Sequence, residues 1–389
     1  MAHQADLNLM RVVHVISNLG LGGAETMLVR LVRQQAGGTI EHAVISFLAG
    51  GVYTQTLRDL GVEVIELEGT RSLRSAALLR PLGAALARAR PDLVQGWMYH
   101  GNVAASLAAI VGSCRAPVLW GIRQTLERLG DNRPLTRGVI LAGSALGFQP
   151  RRIVYNSTLA AEQHEAFWYP KAKRVAIYNG VDTRRFRPDA AARVAARVGL
   201  GLAPDAEVIG RVARNDPMKD HATLFKAFGL LAARRPRAHL VVVGTGMEAA
   251  DAELAQLAQL TGAAGRVQFL GPRRDLEELV PGFDVAVSSS RMSEGFQNVL
   301  AEAMACGVPA VSTDIGEAAT IIGDPARLVP RLDPGALAAA VGAVLDLTAE
   351  QRQEMGRQDR ERIVARFEIG AAAAQFEAVW REVVAEGAR

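Results

Sequence analysis

The stretch that decides the fold begins Val285-Ala286-Val287-Ser288, continues Ser289-Ser290-Arg291-Met292-Ser293 and then Glu294-Gly295-Phe296-Gln297-Asn298. It runs on through Val299-Leu300-Ala301-Glu302-Ala303-Met304-Ala305-Cys306-Gly307-Val308-Pro309 to Ala310-Val311-Ser312-Thr313. Two short apolar runs bracket a polar loop and an Ala-rich segment, Asn298–Cys306. Runs that are apolar at every position read as strands covered on both faces, and the segment between them as a crossover helix.

The same unit recurs outward in both directions. After the midpoint, Val208–Ala213, Leu240–Val243, Val267–Leu270, Val285–Ser288 and Ala310–Thr313 read as strands. Lys219–Arg234, Ala249–Leu260, Asp275–Val280 and Asn298–Cys306 read as helices between them. Before it, the strands are Arg11–Ser17, His42–Phe47, Val62–Leu67, Leu93–Trp97, Pro117–Ile122 and Ile153–Tyr155. Ala24–Gln35, Ser72–Arg90 and Val103–Val111 have helical period. Two βα runs of similar length predict an α/β protein of two Rossmann-like domains. The junction falls near Asn179–Pro188, where Asn-Gly and Arg-Pro punctuate the chain. The expected division is 1–183 and 184–370, with a terminal helix within 371–389 packing back onto the first domain.

Composition agrees with this class. The chain has 389 residues, 49% hydrophobic and 22% charged, with 38 glycines and 5% aromatics. That is globular rather than disordered, and about the length of two domains. Two cysteines, Cys114 and Cys306, exclude a disulfide scaffold and a multi-cysteine zinc site and read as buried free thiols. No apolar run reaches the roughly 18 residues of a membrane helix. Met1 to Arg11 holds no signal-peptide core, so a cytoplasmic location is expected. Residues 1–185 carry 21 Lys and Arg against 13 Asp and Glu, whereas the remainder is mildly acidic. A basic first half favours an anionic partner, although Arg-rich composition alone produces the same excess.

Glu294 and Glu302 are separated by seven residues across the start of a helix. Between them, Gly295, Phe296, Gln297, Asn298 and Val299 present free amides and the positive end of the helix dipole, a ready phosphate site. Arg214 and Lys219 flank a turn after the first strand of the second domain, where open α/β sheets bind ligands. One offers planar hydrogen bonding and the other a point charge, a suitable pair for a diphosphate. Arg211, inside the strand, reads as structural. In the first domain, Gly20, Gly22 and Gly23 form a glycine-rich turn between strand and helix. A dinucleotide site would need an acid at the end of the second strand, but Ser46-Phe47-Leu48-Ala49-Gly50 has none, which argues against a dehydrogenase.

The run 288–316 closely resembles the retaining glycosyltransferases of family four, which have the GT-B architecture of two Rossmann-like domains facing across a cleft. Arg214 and Lys219, Asn179-Gly180-Val181-Asp182, Gly22-Gly23-Ala24-Glu25 and Met98-Tyr99-His100-Gly101-Asn102 also resemble that family. The resemblance covers nearly the whole chain. It implies that Arg214 and Lys219 clamp the donor diphosphate and that the amides of Gly295 to Val299 touch phosphate or sugar. Glu302 would bind the ribose and Glu294 the transferred sugar, with the base against Gly271-Pro272-Arg273-Arg274. Gly22 and Gly23 would approach the diphosphate or acceptor, His100 the sugar, and Arg123 the acceptor. A nucleoside diphosphate is already a leaving group, so neither a protein nucleophile, a cofactor nor a metal is demanded, and an Asp-x-Asp metal motif is absent. The implied donor is a UDP-sugar. The implied acceptor is a saccharide or lipid-linked saccharide, reached by domain closure and presented at an anionic membrane surface near 71–90 and 128–137. No nucleic-acid-binding signature is present. A sugar-nucleotide epimerase or a nucleotide-sugar sensor is the alternative.

Overall fold

The computed structural model describes residues 9–67, 76–249, 251–292 and 294–387. The chain divides into two units, residues 1–180 with 369–389, and residues 181–368.

The first unit is built on a seven-stranded parallel sheet in the order β3-β2-β1-β4-β5-β6-β7. Its strands are β1 (Met10–Ile16), β2 (Ile40–Ser46), β3 (Glu63–Glu66), β4 (Leu93–Trp97), β5 (Val118–Ile122), β6 (Arg152–Tyr155) and β7 (Arg174–Ala176). The second unit has a six-stranded parallel sheet, β10-β9-β8-β11-β12-β13. Its strands are β8 (Glu207–Val212), β9 (Ala238–Val243), β10 (Val267–Phe269), β11 (Val285–Ser288), β12 (Ala310–Thr313) and β13 (Leu328–Val329). β4, β5, β11 and β12 are buried at every position, as their unbroken apolar sequences require, whereas the edge strands β3, β7 and β10 are only partly buried.

In both sheets the strand order reverses once, between β1 and β4 and between β8 and β11. At such a point the connections leave in opposite directions and open a crevice beyond the carboxyl ends of the strands. The loops that leave β1, β4, β8 and β11 are therefore the ones to inspect.

Helices cover both faces of the first sheet. One face is closed by Gly23–Gln35 and by Ile369–Gly387, the helix at the far end of the chain. Met27, Leu28 and Leu31 of the former share a core with Trp97, Phe376, Trp380 and Val383. Trp380 Nε1 donates to Gln95 Oε1 on β4 at 3.1 Å, which satisfies two polar groups inside that core. The other face buries Leu82, Leu86, Ala105, Trp120, Ile140 and Tyr169. Side chains cap several helices of both units; Thr348 and Gln351 form a capping box at the start of Ala349–Phe367.

Cys306 is buried, but Cys114 is only half-buried, because it lies in the loop after Met98–Ile110 rather than in the core. No helix among the described residues is long and apolar enough to cross a membrane. Residues 1–8 and 68–75, and with them the start of the expected helix 72–90, lie outside the described residues; the helix is seen over Ala76–Ala89.

Candidate active site

In the second unit, β8 delivers Arg214 to a tight turn, Asn215 to Lys219, and β11 delivers the loop that carries Glu294. Asp216 accepts from Met218 N at 2.9 Å and from Arg214 Nε at 3.0 Å, so it caps the turn and aims the half-exposed guanidinium. Asp220 follows in a left-handed conformation (φ 48°) and caps the helix His221–Ala232 through Thr223 N. The change of direction at Asp220 brings the Lys219 ammonium to Glu294, with Nζ to Oε1 at 2.5 Å.

Glu294 is held from two sides. Ser290 Oγ also donates to Oε1, at 2.6 Å. Burial pushes the carboxyl up, but Lys219, Ser290 and Arg211 outweigh it and hold Glu294 below the usual carboxylate range. The loop around it is pinned by the segment after β12. Thr313 Oγ1 donates to Ser290 O at 2.6 Å, and Glu317 N to Gly295 O at 3.2 Å. Gly316 has φ +58°, and a Cβ there would lie 2.3 Å from Glu294 O and 2.7 Å from Gly295 O. Glycine is the residue that permits this approach.

The helix Asn298–Ala305 starts immediately after this loop, and Gln297 at its N-cap provides no side-chain cap. Gln297 instead donates to Ile315 O at 3.0 Å, and Phe296 packs edge-on against Phe367 with ring centroids 5.2 Å apart. The side chains of Phe296 and Gln297 are thus committed to structure. Asn298 and Val299 open the helix and are half-buried. Glu302 is buried within the same helix, at 6% exposure, and lies within electrostatic reach of Arg185. Arg185 donates to Glu277 Oε1 at 2.6 Å and to Arg274 O at 3.0 Å, so it ties the loop 271–274 to this edge of the site. Arg273 is turned to its neighbour Asp275, with Nε to Oδ1 at 2.8 Å, and is exposed.

In the first unit the corresponding loops carry Gly22, Gly23 and His100. Gly22 is the N-cap of Gly23–Gln35, and a Cβ on it would lie 2.3 Å from Glu25 Oε2. His100 does not end a strand; it sits in the first turn of the helix Met98–Ile110, which begins at a left-handed Met98 (φ 58°) directly after β4. Its Nε2 is buried without a partner, and burial lowers its pKa, so the imidazole is neutral near pH 7. Asn102 spans from this helix to β5, donating to Gly121 O and accepting from Gly121 N. Arg123, at the end of β5, is buried with Nη2 on Asn179 Oδ1 and its guanidinium 5.6 Å from the Phe376 ring. Its Nε and Nη1 have no partner, and burial lowers its pKa to about 9.

The structure thus joins Lys219 directly to Glu294, keeps Arg214 on Asp216, and buries Glu302 within electrostatic reach of Arg185. Sequence reading missed Arg185 and Glu277, which stand 92 residues apart, and the reach of Arg211 to this site. The excess of cations in the turn Arg184–Arg185 was the available signal for the first. Among the described residues, no group of three or more His, Cys, Asp or Glu side chains is arranged to hold a metal ion.

Residues 21–185 match the family model described as Glycosyltransferase Family 4, and residues 204–346 match Glycosyl transferases group 1. A D-inositol 3-phosphate glycosyltransferase 2 from Catenulispora acidiphila is 35% identical over 240 residues, covering 59% of this chain and 55% of that protein. A D-inositol 3-phosphate glycosyltransferase from Geodermatophilus obscurus is 34% identical over 266 residues, 64% and 58% of the two chains. The matched stretches thus span little more than half the length of these relatives. Among solved structures, Anabaena HepE in complex with UDP-glucose superposes with a TM-score of 0.83 at 20% identity, covering 96% of this chain and all of that one. The two matched stretches account for most of the chain, and the protein belongs to the group 1, family-four glycosyltransferases, with the two Rossmann-like units of the GT-B fold.

Proposed function

We propose that the protein moves a sugar from a nucleoside diphosphate sugar, a UDP-sugar, to a hydroxyl of a saccharide or lipid-linked saccharide, with retention at the anomeric carbon. The observation that carries this reading is the Lys219–Glu294 pair beside Arg214, at the carboxyl ends of the two strands where the second sheet reverses. It supplies cations for a diphosphate and a carboxylate for sugar hydroxyls within one contact. The uncapped start of Asn298–Ala305 adds main-chain donors next to them. The UDP-glucose seated in HepE supports uridine as the base.

In this reading the bond from the anomeric carbon to the diphosphate oxygen breaks through an oxocarbenium-like transition state. The negative charge that grows on the diphosphate is met by Lys219, Arg214 and the amides of Gly295 to Val299. Preorganised groups of this kind are worth several kcal/mol to a transition state. The acceptor's hydroxyl proton passes to the departing phosphate, so no protein base, nucleophile or metal takes part. Glu302, with Arg185 near it, binds the ribose, and the main chain of 271–274 lies against the base. In the first unit, neutral His100 hydrogen-bonds the sugar, Gly22 and Gly23 admit the diphosphate, and buried Arg123 serves the acceptor. The basic first half favours an acceptor held at an anionic membrane face, in polysaccharide or glycolipid synthesis.

A thermal-shift series with UDP, GDP, ADP and NAD on the wild type and on Lys219→Ala tests the donor site. A ligand at about 100 times its Kd stabilises by roughly 2.7 kcal/mol. One nucleoside diphosphate should shift the wild type and hardly the variant; no shift with any of them removes the reading. Turnover with acceptor and the anomeric configuration of the product then separate transfer with retention from epimerisation and from binding alone.

A further inference from the structure

Arg211 lies on β8 beneath the Lys219–Glu294 pair and is 1% exposed. A guanidinium at that depth is costly unless its charge does something there. Its contacts are modest for so buried a cation. Nη1 donates to Val287 O at 3.2 Å, and Nη2 to Lys219 O at 3.3 Å and Ser290 Oγ at 3.2 Å, while Nε has no partner. None of these acceptors is a carboxylate. The nearest anions act at longer range: Glu294, reached through the Ser290 hydroxyl, and Asp220, whose own side chain is turned to Thr223. Burial lowers the Arg211 pKa to about 10, so it stays charged at neutral pH.

The donor-site reading carries a difficulty. Lys219 is proposed to meet the donor's diphosphate, yet its ammonium already neutralises Glu294. If the diphosphate takes Lys219, a carboxylate buried in this loop loses its closest counter-charge and tends to take up a proton. A protonated Glu294 would have one acceptor oxygen fewer for sugar hydroxyls.

We infer that Arg211 is a positioning residue for donor binding: a fixed, buried cation that keeps Glu294 ionised, and aimed through Ser290, when the diphosphate draws Lys219 away. This rests on the donor-site reading above. The arrangement makes the Lys219–Glu294 pair an exchangeable one. Lys219 is the mobile partner, on a flexible stem at the end of a turn. Arg211 is the immobile one, tied to β11 and to the Lys219 main chain, so it cannot follow the diphosphate. Ser289 Oγ reinforces the tie by donating to Lys219 O at 2.9 Å and lying 3.0 Å from Asp220 O.

The charged groups around Glu294 define what a pH experiment reads. Lys219 and Arg211 face it from the turn and from β8. Asp220 and His221 stand behind those two; the His221 pKa is lowered to about 4, first by burial and then by Arg211, so it is neutral over most of the useful range. Glu317 lies beyond the Gly295 main chain, and Arg291 precedes the loop.

The test measures Kd for UDP and for UDP-glucose from pH 4.5 to 8 on the wild type, Arg211→Met and Arg211→Lys. The ratio of the two constants isolates the sugar's contribution, which needs ionised Glu294. In the wild type this ratio should hold down to the lowest pH values. In Arg211→Met the pH at which it is halved should rise by about one unit or more, the size of effect a nearby counter-charge exerts. In Arg211→Lys, which keeps the charge, it should stay close to the wild-type position. A merely structural Arg211 would change both constants together and leave the ratio's pH dependence where it was, and that result overturns the inference. If the Met variant does not fold, Arg211→Gln takes its place, with the same upward shift expected and the same overturning result, a ratio whose pH dependence has not moved. A wild type that binds neither UDP nor UDP-glucose overturns the donor-site reading itself, before any variant is compared.

Discussion

Arg327 grips Asp359 with both ends of its guanidinium, Nη1 to Oδ2 at 2.6 Å and Nη2 to Oδ1 at 2.8 Å, and both side chains are buried. The pair fastens the helix Ala349–Phe367 to the turn that precedes β13. Without Arg327, Asp359 is a buried ion that has lost its two-point partner, whereas Arg327 also reaches Asp324 Oδ2 through Nε at 3.1 Å. Arg327→Met should therefore destabilise the protein by about 3–5 kcal/mol. Adding Asp359→Leu should recover a large part of that loss. Urea unfolding of the two single variants and the double variant checks this; equal losses for Arg327→Met and the double variant would show that the charge is not what matters.

Removing the Lys219 ammonium should have two separable effects. Turnover of Lys219→Ala should drop by about 10²–10³ if the ammonium meets the leaving diphosphate. Stability should fall by about 1–3 kcal/mol, because a partner of a buried carboxylate is lost. The pH dependence has a definite sign. Glu294 is held below its ordinary pKa, so its contribution is complete above about pH 4.5 and is lost as pH falls through the lower folded value. In the variant this loss should begin at higher pH. Melting curves between pH 3 and 7 would expose it, and near-normal turnover would remove the phosphate role.

Two buried histidines should shape the acid stability of the first unit. Trp97 Nε1 donates to His14 Nδ1 at 3.1 Å, which places the His14 proton on Nε2, directed at His42 Nδ1 at 3.0 Å. Burial lowers both pKa values, that of His42 to about 4. Between about pH 6.5 and pH 4 the unfolded chain takes up protons that the fold refuses, so stability falls as pH falls through that window. His42→Gln should flatten the slope by up to roughly 1.4 kcal/mol per pH unit, one proton's worth. Urea midpoints at pH 7, 6 and 5 measure it, and parallel slopes would count against the assignment.

Gly316→Ala should disturb the donor loop specifically. The new methyl meets the carbonyls of Glu294 and Gly295 on a left-handed backbone. A cost of about 1–3 kcal/mol is expected. The stabilisation by a nucleoside diphosphate should shrink beyond what that loss explains, because the same carbonyls precede the amides that would meet phosphate. An unchanged ligand-induced shift would mean that the loop is not part of the binding surface.

The central strands were legible because burial on both faces leaves an unbroken apolar run. β4, β11 and β12 begin and end where composition puts them. β7 and β13 were not, since they are edge strands of three and two residues whose pairing is decided by their neighbours. For the site, sequence offers positions along a strand–loop–helix pattern, hence Arg214, Lys219 and Glu294 at loops. It does not offer which partner a side chain chooses. Nothing in the order of residues says that Lys219 meets Glu294 while Arg214 turns to Asp216, or that Arg211 has Ser290 in reach. Those choices follow from the left-handed Asp220 and from the register of β8 against β11, which tertiary packing sets.

The helix Ile369–Gly387 supplies Ile369, Ala372, Ala373, Phe376, Trp380 and Val383 to a core whose other buried members lie before residue 181. On a ribosome this inverts the order of completion. The unit made first lacks one wall of its interior until the chain beyond residue 368 has emerged, whereas residues 181–368 are contiguous and can close as they appear. His14, His42 and Trp97 would stay exposed through most of synthesis, a long interval in which a nascent chain is open to chaperones and to aggregation. A stalled or truncated product would carry a finished second unit joined to an unfinished first one, so damage near the chain's end would be felt as a folding defect at its beginning.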